Sequence, residues 1–154
     1  YLRDFADVPQ EMSAVGYTLF VIAMAFSRLM GDKLAMKFGA VTMLSAGICI
    51  MLATLLALVV YPQPAVALLS LFLMGLGIAN IAPIVISAAS RTASMDSVKA
   101  ITAVTTVGYG GLLAGPALIG AVSSALSLQI AFLAVCALLA MSLILVCRHR
   151  AVFQ

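Results

Sequence analysis

The chain has 154 residues, of which 65% are hydrophobic and 8% charged, with a mean hydropathy of +1.25. Soluble domains are about 45–50% apolar and about 25% charged, so this composition excludes a soluble enzyme, a disordered tail and a disulfide-stapled secreted domain. The solvent it fits is the hydrocarbon core of a bilayer, and its net charge of +3 comes from basic residues scattered without a patch or interleaved aromatics, which is no nucleic-acid signal.

The chain opens at Tyr1 on a polar, net-acidic stretch without a signal-peptide pattern, and reads as the continuation of something longer. A first span is predicted over about 12–30, with Arg28 near its end where its stem can reach the headgroups, followed by a polar loop over about 31–38. A second span covers about 39–60 and ends at Tyr61-Pro62-Gln63-Pro64, where two prolines stop a helix. The third covers about 65–90, the fourth about 100–124, and the fifth about 128–147 after the weak polar break Ser123–Ser127. Charge is absent from Phe38 to Ser90 and from Ala100 to Cys147, so each run holds two spans and a turn. Period-2 alternation is missing, which argues against a membrane β-barrel. The predicted fold is all-α: a polytopic membrane protein with five transmembrane helices.

Five spans put the two ends of the chain on opposite sides. Arg28, Lys33 and Lys37, then Arg91 and Lys99, then Arg148 and Arg150 all fall on one face, seven of the eight basic residues. The other face has Arg3 alone, beside Asp4, Asp7 and Glu11. The positive-inside rule predicts a cytoplasmic C-terminus and an external N-terminus. Four or six spans would break this agreement.

Chemistry is sparse inside the spans. Cys49, Cys136 and Cys147 form no CxxC pair and no metal spacing with His149, and read as small packing residues, so no metal or cofactor is expected. In the third span Asn80 is the most polar deep side chain. An unpartnered amide in hydrocarbon costs several kcal/mol, so Asn80 either glues helices together or contacts a solute in a wet cavity. Pro83 is expected to bend the helix there. In the fourth span Thr102, Thr105, Thr106 and Tyr109 share one face at i, i+3, i+4, i+7. They read as hydroxyls bonded back to their own helix or as a cavity wall; Tyr17 and Thr18 are weaker candidates. Gly111 and Gly115 form GxxxG, and Pro116 follows, which reads as a helix-contact face or a closely packed hinge. No Asp, Glu, Lys or Arg lies mid-span, so any proton-coupling group is expected outside this chain. No phosphate loop is present, and one tail histidine assembles no nucleophile–base pair.

Arg28-Leu29-Met30-Gly31-Asp32-Lys33-Leu34-Ala35-Met36-Lys37-Phe38-Gly39 resembles the short cytoplasmic loop of the major facilitator superfamily, which joins the second and third helix of each six-helix half. Leu34, Lys37 and Gly39 match its pattern; Met36 stands where an acidic residue is expected and Ala40 where a basic one is, with Asp32 four residues earlier on the same helix face as Met36. Ser87-Ala88-Ala89-Ser90-Arg91-Thr92, Ala103–Tyr109 and Leu113-Ala114-Gly115-Pro116 resemble a bacterial inner-membrane branch of that family, mostly of unassigned substrate, and Gly115-Pro116 is similar to the Gly-Pro signature of the family's exchangers. The resemblance implies helices 8 to 12 of a twelve-helix transporter, a partial six-helix bundle lacking helix 7 and the first half. It also implies that Asn80 lies on a cavity-lining helix, that Thr105, Thr106 and Tyr109 lie on a half-to-half gate, and that Arg28, Gly31, Asp32, Leu34, Lys37 and Gly39 form a gating loop.

The expected function is transport of a small solute by alternating access, with the chain inactive alone, in the bacterial inner membrane. Its expected partners are the lipid bilayer, the missing helices and the solute, with no nucleic acid. The rivals are a non-transporting scaffold or assembly subunit, a relic of a truncated gene, and a membrane enzyme, for which Asp32, Asp96 and His149 share no motif.

Overall fold

A computed structural model describes residues 10–61, 63–91 and 96–149, with side chains from Ala14 onward. The described residues form six helices: α1 (Gln10–Phe38), α2 (Ala40–Val60), α3 (Pro64–Ile78), α4 (Ile81–Ser90), α5 (Ser97–Ala125) and α6 (Leu128–Arg148). α3 and α4 are two parts of one span, Pro64–Ser90, so five segments are long and apolar enough to cross a membrane. In lipid only a helix satisfies every backbone group within its own segment, and a chain of this composition resolves into helices and short turns.

The turns are set by local chemistry. Gly39 separates α1 from α2 at φ 82, ψ 154, a region essentially reserved for glycine. α1 therefore carries on through 31–38, where the sequence reads as a polar loop. That segment is polar but has no proline, and its first helix-breaking conformation is at Gly39. Pro64 sits in the first turn of α3, where its missing N–H costs nothing, after an extended Gln63. Asp96 caps α5 by accepting from the Val98 N–H at 2.9 Å, and Ser127 caps α6 through the Ile130 N–H at 3.2 Å. α5 runs unbroken through Pro116.

α3 lies between α1 and α2, α6 packs on α2, and α5 bridges α4 and α6. The buried positions are mostly small: Ala23, Gly31, Gly47, Ala67, Gly75, Gly77, Ala79, Ala131. Leu44 is the largest side chain buried to this degree, at 1% exposure. Lipid tails are as apolar as leucine, so burying leucine against leucine gains little there, and helices associate through close backbone approach. Gly75 and Gly77, about 200° apart around the helix, supply that approach on opposite sides of α3. A Cβ on Gly75 would overlap the Phe20 carbonyl of α1 and stand 3.0 Å from the Ala23 Cβ. A Cβ on Gly77 would lie 2.9 Å from the Gly47 carbonyl oxygen of α2.

Candidate functional site

The third span breaks at Ala79-Asn80. Pro83 has no N–H for the Ala79 carbonyl and its ring crowds that carbonyl. Asn80 accordingly leaves regular helix geometry, at φ −100, ψ −3 in the bridge region, and α4 restarts at Ile81. The sequence placed the bend at Pro83; it falls one turn earlier, where the proline's clash is felt.

A break leaves helix-end carbonyls without intrahelical donors. Ser27 of α1 meets this need: its Oγ donates to the Leu76 carbonyl at 3.0 Å. The same Oγ accepts from Asn80 Nδ2 at 2.9 Å, and the Ser27 carbonyl accepts from Nδ2 at 3.1 Å. The Asn80 amide nitrogen and the one hydroxyl hydrogen of Ser27 are thus engaged between α1 and the break. The Asn80 side chain then lies flat against Gly31, where a Cβ would overlap Asn80 Oδ1 and stand 2.8 Å from Cγ. Gly31, one residue of the loop motif, is buried here because nothing larger fits beneath Asn80.

From this point a groove of about 460 Å³ runs along α1 and α4 toward the basic end of the bundle. Arg28, Asp32, Asn80, Pro83, Ser87 and Arg91 are among its walls. It adjoins a second depression of about 530 Å³ at the α1–α2 turn, lined by Met36, Phe38, Gly39 and Arg91 among others. Arg91, which caps α4, belongs to both and donates to the Ser87 carbonyl at 3.3 Å and to Ser87 Oγ at 3.4 Å. Lys37 is exposed, its Nζ 5.3 Å from the Phe38 ring centre, and Leu34 is half-buried.

The hydroxyl stripe of α5 lies elsewhere. None of its residues is among the described walls of either groove. Thr102 Oγ1 donates back to the Val98 carbonyl at 2.7 Å and Thr105 Oγ1 to the Ile101 carbonyl at 2.8 Å, while Thr106 and Tyr109 are exposed. The neighbouring Gly108, Gly110, Gly111, Gly115 and Gly120 have open space where a Cβ would point. Among the described residues, no atom beyond the helix itself comes within 4 Å of where a Cβ on Gly111 or Gly115 would stand.

The sequence singled out Asn80, Pro83 and, as a loop-motif residue, Gly31, but not Ser27, which hydrogen-bonds Asn80. The available signal was the small-residue series Gly16, Ala23, Ser27, Gly31 along one stripe of α1.

The family model of the Major Facilitator Superfamily matches residues 4–152. An uncharacterized MFS-type transporter of Yersinia pestis is 34% identical over 86% of this chain and 34% of its own length. The membrane protein MosC of Rhizobium meliloti is 29% identical over 97% of this chain and 38% of its own length. An uncharacterized transporter of Sinorhizobium fredii is 30% identical over 86% of this chain and 35% of its own length. The chain therefore spans about a third of the length of the relatives it matches. No solved structure gives a significant match. Five membrane-spanning segments and a family match over nearly the whole chain identify it as a member of the major facilitator superfamily.

Proposed function

We propose that the chain forms the last five helices of a secondary transporter that moves a small solute across the bacterial inner membrane by alternating access. The observation that carries this reading is the bare face of α5. It is a 29-residue helix whose spanning window has no buried residue, and its glycine row and exposed Tyr109 face open space. Glycines in a membrane helix serve close helix packing, so such a face calls for a second bundle outside these residues. Two bundles meeting there around a mid-membrane site and rocking against each other is the architecture this supports.

In this arrangement Thr106 and Tyr109 face the junction of the two bundles and are the candidates for solute contact. Asn80, whose amide nitrogen is held by Ser27 within the chain, shapes the cavity wall instead of reading the solute. Arg28, Asp32 and Arg91, at the basic end, gate the inner side, and the C-terminus is cytoplasmic by the positive-inside rule. The absence of charged residues within the second, third and fifth spans leaves any coupling carboxylate to the rest of the transporter.

The test is uptake into inner-membrane vesicles by the complete transporter and by this chain alone. Saturable uptake by the complete protein, abolished by Tyr109→Ala, with none from the chain alone, is expected. Saturable uptake by the chain alone would overturn the reading.

A further inference from the structure

We propose that Ser27 and Asn80 form a latch that holds the broken third span against α1, and that α4 swings about Ala79-Asn80 when the latch opens. This rests on the alternating-access reading and names the moving part at its inner side. Three observations converge on it. The span is interrupted at Asn80 by Pro83, so α4 is joined to α3 without a continuous hydrogen-bond ladder across the joint. Among the described residues, the side-chain hydrogen bonds between α1 and that joint all run through one serine: Ser27 Oγ to the Leu76 carbonyl, and Asn80 Nδ2 to both oxygens of Ser27. The groove that opens beside the joint separates α1 from α4, with Arg28 and Asp32 on one wall and Ser87 and Arg91 on the other.

The chemistry permits two discrete arrangements. With the latch made, Ser27 covers a carbonyl that the break exposes and Asn80 lies on Gly31. With it open, the Asn80 amide and the Leu76 carbonyl are free to bond to water entering the groove, so opening exchanges partners without stranding polar groups. Ser27 is a positioning residue in this scheme. α3 is held on both sides by Gly75 and Gly77 and does not follow.

The experiment measures the distance between spin labels at Lys33 on α1 and Ser87 on α4, by pulsed electron resonance, in the complete cysteine-free transporter in lipid nanodiscs. The parent is expected to give one dominant distance. Ser27→Ala and Asn80→Ala each remove two of the three latch bonds and are expected to raise the share of a longer distance by about tenfold or more, at about three- to tenfold for each net hydrogen bond lost. Gly31→Ala, which displaces Asn80 by contact while keeping both latch residues, is expected to do the same, and Ser27→Thr to restore the parent distribution. Thr54→Ala, which removes a buried hydroxyl bonded to its own helix at the Ile50 and Met51 carbonyls, is expected to change nothing. Unchanged distances in Ser27→Ala, Asn80→Ala and Gly31→Ala, or equal broadening in Thr54→Ala, would overturn the latch. Asn80→Ala removes the same inter-helix bond from the other side and serves where Ser27→Ala fails to fold. Uptake recorded on the same samples separates the two ideas: distances that respond without any saturable uptake leave the latch and remove the transport reading, and the converse removes the latch alone.

Discussion

Gly47 and Gly77 occupy each other's side-chain space. The Gly77 carbonyl oxygen lies 2.5 Å from where a Cβ on Gly47 would stand, and the Gly47 carbonyl oxygen lies 2.9 Å from where a Cβ on Gly77 would stand. Both obstacles are backbone, which cannot rotate away. Gly47→Ala and Gly77→Ala are each expected to destabilise the bundle by about 1–3 kcal/mol, the usual cost of overpacking. Because either one already separates the helices, the double variant should cost less than the sum. Reversible unfolding in mixed micelles measures all three; strict additivity would show that the two glycines do not share one contact.

Gly39 is required for a different reason. No atom lies within 4 Å of its would-be Cβ, but its backbone sits at φ 82, ψ 154. Gly39→Ala should cost about 1–3 kcal/mol through strain alone. Asparagine relieves strain in the left-handed helical region but not here, so Gly39→Asn should be as damaging as Gly39→Ala. A clear recovery with asparagine in the same unfolding assay would contradict the conformation.

The glycines of α5 should behave in the opposite way. Gly108 and Gly111 have open surroundings, so alanine there should leave the stability of this chain unchanged or raise it by about 0.5–1 kcal/mol through reduced backbone entropy. In the complete transporter the same substitutions should lower uptake by roughly tenfold or more, since about 1.4 kcal/mol of lost packing at the junction suffices for that factor. Stability and uptake falling together would place the contact inside this chain.

Helix caps offer a calibration at the membrane edge. Asp96→Ala removes the acceptor for the Val98 N–H, and Ser127→Ala the acceptor for the Ile130 N–H. Each should cost about 0.5–2 kcal/mol and raise amide exchange in the first turn of α5 or α6 only. Thr102→Ala and Thr105→Ala, whose hydroxyls bond to their own helix, should fall within about 0.5 kcal/mol of the parent.

The spans were legible because charge is excluded from hydrocarbon, and thirteen charges sufficed to mark five segments. Helix ends were less legible. The segment from Gly31 to Phe38 is hydrophilic, and hydropathy reports where water is tolerated, not where the backbone turns; only the conformation of Gly39 ends α1. The break near Pro83 was visible in sequence because proline acts through local geometry. Ser27 was not, because its importance comes from a partner 53 positions away. The small-residue stripe to which Ser27 belongs marks a packing face but not a partner, which appears once α1 and the joint are side by side. The glycines of α3 were legible as small residues, but which neighbour each one meets depended on α3 lying between two helices.

Gly75 and Gly77 have one more consequence. They clamp α3 from both sides, while the ten residues of α4 are buried only at Ala88 and Ala89. One crossing of the membrane is therefore stiff over α3 and compliant over the roughly 15 Å of α4. A displacement arriving at the charged end is absorbed at the joint and dies out before the far surface. The two ends of this span can therefore change shape independently.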